Sequence, residues 1–332
     1  MGPRVRLSKG IEIGLADGSK VVLDGRGEAD VFVLSHAHAD HLFSGYHPIV
    51  CSPLTAALGR ERTTEPAIER VDPPDWIELR PAGHIAGSRS ALVTDPQTGR
   101  RYCYTGDIST RDRFYLNGFR PPDADVLIIE TTYGRPDYRF PPTEQVIADI
   151  HGWLTDAQDD VAVLFGYPLG RAQKLQLIAA QANPGRLLVA SAIAALNPVI
   201  ERHRDVTFEA TRYERGMVVE PGDVMVLPTQ SNRETVLDAL NTEVSIRTAG
   251  VSGWAVDPAY RYRGDFDATF PLSDHCDFDE LVKVVTAVDP EGVYTHHGFA
   301  EEFATHLTRE FGYDARPLKR DQATLDAFRS IS

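Results

Sequence analysis

One short stretch narrows this chain more than any other: Ser35-His36-Ala37-His38-Ala39-Asp40-His41, which directly follows the apolar run Val31 to Leu34. Three histidines and an aspartate within six positions concentrate the imidazole nitrogens and carboxylate oxygens that bind zinc and its neighbours. The alanine spacers are small enough for a tight loop to aim successive side chains at two adjacent ions. A solvated polar loop is the competing account of such a run. Taken alone, the stretch supports only a metal site.

A tetrahedral or five-coordinate site needs further ligands, and two segments downstream offer them. Gly83-His84-Ile85-Ala86-Gly87-Ser88 follows the strand-like Trp76 to Leu79 and sets a histidine between glycines. Tyr104-Thr105-Gly106-Asp107 puts an aspartate behind an aromatic strand, where its two oxygens can bridge two ions. In isolation these would be an ordinary histidine and an ordinary turn aspartate. Their order behind the histidine-rich loop is what gives them weight.

Short β-branched runs bounded by turn residues read as strands at 21–23, 31–34, 91–94, 126–129, 161–165, 187–190, 224–227 and 293–295. Helical spacing appears over 144–154, 171–182, 278–288 and 301–310. The class is α/β. Asp24, His36, His84, Asp107, Glu130 and His297 each fall at or just after a strand end. Loops beyond strand ends are where layered α/β folds assemble their sites, so convergence on one edge of a β-sandwich is expected.

The chain has 332 residues, 42% of them hydrophobic, which is room for one large domain or two medium ones. Cys51, Cys103 and Cys276 form no C-x-x-C pair and suggest neither a disulfide framework nor a thiolate zinc knuckle. No apolar run has the length of a signal peptide or a membrane span, so a cytoplasmic protein without a membrane partner is expected. A formal charge of -14 argues against a broad basic footprint for nucleic acid. Bound zinc adds positive charge that this sum omits, and the basic residues are nearly all arginine, which grips phosphate bidentately.

The order H-x-H-x-D-H, then G-H, then T-G-D resembles the metallo-β-lactamase superfamily. Ile128-Ile129-Glu130-Thr131-Thr132-Tyr133-Gly134, Pro168-Leu169-Gly170-Arg171-Ala172-Gln173, Leu272-Ser273-Asp274-His275-Cys276 and Thr295-His296-His297-Gly298 extend the resemblance to its β-CASP nuclease branch, over nearly the whole chain. The resemblance implies an αββα metallo-β-lactamase sandwich with an inserted β-CASP α/β domain. Its first part would span 1–154, the insert 155–268 and the return segment 269–332. It also implies that His36, His38 and His84 hold one zinc ion, that Asp40, His41 and His297 hold a second, and that Asp107 bridges them. Manganese suits the same ligands.

Asp24 would orient the histidine loop from behind. With Asp40, Glu130 and His275 are the implied catalytic residues: in that branch the histidine approaches the scissile phosphate and the glutamate orients it. His296 stands beside the implied ligand, and the His-Gly pattern of the family selects His297. Gly170 and Arg171 open a helix whose N-terminus could hold a substrate phosphate. Tyr133 and Arg135 would line the cleft.

The expected function is zinc-dependent hydrolysis of single-stranded nucleic acid. His297 goes mostly with RNA-acting members, which puts RNA first, as in messenger-RNA 3′-end processing. A single-strand DNA exonuclease of ligase-associated or Artemis-like type comes second. Phe299, where polyadenylation-type nucleases usually carry an acidic residue, and Thr229-Gln230-Ser231-Asn232, which lacks their serine-proline-glycine segment, pull toward the short exonucleases. The protein would act as a homodimer or within a processing or repair complex. Thioester or lactam hydrolysis would need no inserted domain, and a non-catalytic subunit sits poorly with seven intact ligand positions.

Overall fold

The computed structural model describes residues 4–42, 48–63, 68–229, 240 and 244–319, so Gln230, Ser231 and Asn232 lie outside the described residues. The chain first lays down a six-stranded sheet in sequence order: β1 (Arg4–Leu7), β2 (Ile11–Gly14), β3 (Lys20–Leu23), β4 (Val31–Val33), β5 (Pro48–Val50) and β6 (Glu69–Val71). The first three strands are antiparallel and the rest join in parallel. Helix α1 (Pro53–Arg62) begins behind Ser52, whose hydroxyl accepts from the Thr55 N–H. Its Ala56 packs with Val22, Phe32 and Leu34 on the outer face of this sheet.

A second sheet starts with β7 (Ile77–Pro81), β8 (Arg89–Thr94), β9 (Arg101–Tyr104) and β10 (Val126–Glu130). It faces the first: Ile11, Ile13, Val21 and Val33 meet Ile77, Val93, Tyr102 and Ile128 in one buried core. Strand periodicity sends Ile128 into that core, while Leu127 and Ile129 point to the opposite face.

The chain then leaves the sandwich through α2 (Thr143–Thr155) and builds a third sheet. In sequence these are β11 (Val161–Gly166), helix α3 (Arg171–Gln181), β12 (Leu187–Val189), β13 (Thr211–Arg212), β14 (Val224–Pro228), β15 (Ile246–Val251) and β16 (Ala268–Phe270). Every pairing in this sheet is parallel, in the order β13-β12-β14-β11-β15-β16. Apolar residues cover both of its faces, which is why Val161 to Phe165 reads as an unbroken apolar run rather than an alternating one. Val146 and Ile150 of α2 belong to its core.

On its return the chain forms α4 (Phe278–Val288), β17 (Gly292–His296), α5 (Ala300–His306) and β18 (Ala315–Pro317). Strand β17 pairs in parallel with β10 on one side and β18 on the other. Phe278, Leu281 and Phe303 of the two helices bury Leu127 and Ile129. The layers thus run α1, first sheet, second sheet, then α4 with α5: an α/β sandwich with an additional parallel α/β lobe. Strands β3 and β4 are parallel, as are β9, β10 and β17, and β7 runs the same way as β9 because both oppose β8. The segments after five of these strands carry Asp24, His36, Asp107, His297 and His84, and Glu130 is the last residue of β10.

Leu127, fully buried between β9 and β17, holds this edge in register. Leu127→Ala should lower the free energy of unfolding by about 2–5 kcal/mol, read from urea denaturation midpoints; a change within about 0.5 kcal/mol would mean that the α4–α5 layer is not the packing assigned.

Candidate metal centre and active-site cleft

Asp24 leaves β3 with a left-handed φ of 45°, a conformation that a non-glycine residue rarely adopts unless its surroundings require it. Its carboxylate accepts four hydrogen bonds: from Ser35 N at 2.7 Å, Ser35 Oγ at 2.5 Å, His41 Nδ1 at 2.8 Å and Tyr104 Oη at 2.7 Å. One buried carboxylate thereby joins β3, the histidine loop and β9. Burial alone would raise its pKa, but the charge and hydrogen bond of His41, with the donors of Ser35, hold it below the ordinary value. Nothing in the sequence marks Ser35 or Tyr104, since a hydroxyl there shows nothing of the carboxylate it will meet.

The outward nitrogens of three histidines settle which way their inward nitrogens present themselves. His38 Nε2 lies 3.0 Å from the Leu169 carbonyl and His84 Nδ1 lies 3.0 Å from the Asp274 carbonyl, acceptors that require an N–H. His36 Nδ1 lies 2.8 Å from Ser35 Oγ, whose own proton goes to Asp24. In the neutral rings the inward nitrogens are then all lone pairs. They stand 3.1 Å apart for His36 and His38 and 3.2 Å for His38 and His84. Asp107 Oδ2 sits 3.5 Å from His36 Nε2 and 3.6 Å from His84 Nε2. Protons are poor substitutes for a metal here, because burial first of all, then the neighbouring imidazoles, push His36 and His84 well below the usual range.

Four ligands held about 2.0–2.1 Å from a tetrahedral ion stand about 3.3 Å from one another, so His36, His38, His84 and Asp107 fit one zinc-sized cation. A second group, Asp40, His41 and His297, also has its ligand atoms within 4.8 Å of one another. His41 Nε2 lies 3.7 Å from both Asp40 Oδ2 and Asp107 Oδ2. Among the described residues His41 Nε2 and Asp107 Oδ1 are buried without a hydrogen-bond partner, a cost that a bound cation would remove. His297 reaches this group from a turn with φ of 60°, fixed by Thr131 Oγ1 donating to its carbonyl at 2.6 Å. His296 instead points away, buried and stacked on Tyr104 with ring centroids 5.5 Å apart.

Two glycines make the ligand turns possible. Gly83 has φ of +75° and a Cβ there would come within 2.1 Å of the Ser109 carbonyl; Gly106 has φ of +56° and a Cβ would come within 2.8 Å of Ser35 Cβ. Gly83 precedes His84 and Gly106 precedes Asp107.

Next to this centre, His275 Nδ1 donates to Glu130 Oε1 at 2.9 Å. Glu130 is fully buried and also accepts from Ile108 N at 3.2 Å and Thr132 N at 2.9 Å. Burial opposes its ionisation, yet the charge and hydrogen bond of His275 bring its pKa down to about 2. The same pairing raises His275 against its own burial. Among the described residues His275 Nε2 has no hydrogen-bond partner of the kind Nδ1 finds in Glu130, and the ring borders a cleft of about 580 Å³ together with Asp40, Asp107, His297, Tyr167 and Trp254.

Gly170 and Arg171 stand at the start of α3 as expected, but both are engaged elsewhere. The Gly170 N–H donates to Gln173 Oε1 at 2.7 Å. Arg171 is 2% exposed, paired with Asp274 Oδ2 at 2.7 Å and donating to the Val251 carbonyl at 2.8 Å. The other Asp274 oxygen is bound by Lys174. Arg113 donates to the Ser273 carbonyl alongside. This buried cluster fixes the loop that carries His275 and supplies the carbonyl that orients His84. Asp274 was visible beside His275 in the sequence, but its partners on α3 were not. Tyr133 borders the cleft, whereas Arg135 pairs with Asp137 at 2.9 Å and lies over the Phe299 ring.

In the metal-free protein, burial would lower His41, but Asp107, Asp24 and Asp40 outweigh it and carry its pKa up to about 10. An ion binding at Nε2 must displace that proton. Zinc titrated into the metal-free protein at pH 8 should therefore release close to one proton through His41, and affinity should rise with pH toward that value. Calorimetry in buffers of different ionisation enthalpy measures this, and His41→Gln should abolish the release.

No family model matches the chain. Among curated proteins it is 39% identical over 299 residues to a "Probable DNA ligase" of Opitutus terrae, an alignment covering 87% of this chain and 28% of that protein. It is 30% identical over 184 residues to an "RNase J-like protein" of Methanocaldococcus jannaschii, covering 45% of this chain and 43% of that one. The chain thus spans less than half the length of either relative. A solved structure, titled as a protein of unknown function from Enterococcus faecalis V583, shares the fold with TM-score 0.58 at 13% identity, covering 90% of this chain and 94% of that one. The motif order of the chain and relatives of these kinds fit the metallo-β-lactamase/β-CASP nuclease family.

Proposed function

We propose that the chain is a two-zinc phosphodiesterase that hydrolyses single-stranded nucleic acid. The observation that carries this reading is the junction of two ligand sets at Asp107, with the Glu130–His275 pair beside them on one cleft. His36, His38 and His84 would hold one ion, Asp40, His41 and His297 the other, and Asp107 both. When bound, two divalent ions lower the pKa of water between them and stabilise charge on phosphoryl oxygens.

The chain's own residues supply the rest. Glu130, ionised and fully buried, keeps the His275 ring oriented and charged. His275 presents Nε2 to the cleft as a general acid for the leaving sugar oxygen. The half-exposed ring of Tyr167 and the partly buried Trp254 border the same space and offer faces on which unpaired bases can stack, which favours a single strand over a duplex.

Two observations bear on the sugar. The resemblance carried by His297 and the RNase J-like relative favour RNA. The relative that matches 87% of this chain is named a DNA ligase, which favours a strand destined for ligation, and DNA therefore ranks first. Soluble action in the cytoplasm, as a homodimer or in a repair complex, accords with this reading.

Incubating the zinc-loaded protein with end-labelled single-stranded DNA and RNA tests it. Cleavage of DNA at the higher rate is expected, and no cleavage of either polymer would sink the proposal. His275→Ala should lower kcat about 10²- to 10⁴-fold with zinc content unchanged. Because the acid must be protonated, the wild-type rate should fall as pH rises through the raised pKa of His275, and that limb should vanish in the variant.

A further inference from the structure

We propose that Arg62, at the end of α1, is the cation that grips a backbone phosphate of the strand in the cleft; this rests on the nuclease reading above. The charge balance makes an uncommitted cation here informative. The chain holds 48 acidic against 34 basic residues, and the other arginine bordering the cleft, Arg171, is consumed by Asp274 and the Val251 carbonyl. Arg62 borders the same cleft as Asp40, Asp107 and His275. Among the described residues its guanidinium makes no hydrogen bond or ion pair, and its Nε is buried without a partner. Asp40 is the carboxylate whose charge acts on it, and coordination of an ion would withdraw that carboxylate.

A half-buried guanidinium without an acceptor carries an uncompensated desolvation cost, which an anion entering the cleft offsets. The helix end offers a blander role, since a basic residue in the last turn favours the α1 dipole. That role is already available to Arg60, whose guanidinium donates to the Ile68 carbonyl at 2.7 Å. It would also be met by any positive charge. A phosphate, by contrast, matches the planar fork of arginine, whose parallel N–H groups bind two oxygens, and lysine reproduces this poorly.

The test uses zinc-loaded full chain and a fluorescein-labelled single-stranded DNA 12-mer, with binding read by anisotropy across a salt series and turnover measured alongside. Arg62→Met, which keeps the apolar stem, should weaken binding about tenfold and raise KM similarly, with kcat and zinc content little changed. The slope of log affinity against log salt should become shallower by about 0.7, the share of one phosphate on a single strand. Arg62→Lys should recover the slope but only part of the affinity. Arg316→Ala, remote and paired with Asp314, serves as the control. Unchanged affinity and slope in Arg62→Met, with the wild type cleaving, would overturn this proposal alone. A wild type that neither binds nor cleaves would overturn both this proposal and the nuclease reading.

Discussion

Three imidazole lone pairs and a carboxylate oxygen directed into one buried space repel each other unless a cation lies among them. Everything around the centre enforces that crowding. Carbonyls of Leu169 and Asp274 and the hydroxyl of Ser35 take up the outward N–H groups, so that none of these rings can turn its proton inward. Asp24 locks the fourth ring, His41, in the same sense. Ligand preorganisation of this kind, by partners behind the ligands, sets both ring orientation and basicity.

The centre also links the layers of the molecule. His36, His38 and His41 come from the first sheet, His84, Asp107 and His297 from the second, and the backbone acceptor for His38 from the turn before α3 in the third. Asp274 completes the tie, since its carboxylate is bound by α3 while its carbonyl orients His84. The parallel lobe therefore supports His38 and His84 of the candidate centre and also forms one wall of the cleft.

Much of this was legible in the sequence for a simple reason. Apolar β-branched runs mark strands, and polar residues at their ends mark the edge where loops gather, so the convergence of Asp24, His36, His84, Asp107, Glu130 and His297 could be expected from position, while the roles proposed for them come from motif order and the family resemblance. What was not legible depends on partners far along the chain. Arg171 reads locally as an anion contact at a helix start, but Asp274, 103 residues later, takes its charge. Helix α2 shows an apolar side in the sequence but not its partner, the core of the third sheet, where Val146 and Ile150 pack. Arg62 carries no motif, and what distinguishes it is a buried Nε without a partner among the described residues, beside the candidate metal cleft.

In the proposed centre Asp107 stands between two ions. Anomalous diffraction at the zinc edge, from crystals of the zinc-loaded protein, would locate them. Two peaks flanking Asp107 are expected, roughly 3.5–4 Å apart, one among His36, His38 and His84 and one among Asp40, His41 and His297. A single peak away from Asp107, or none among these histidines, would contradict this arrangement.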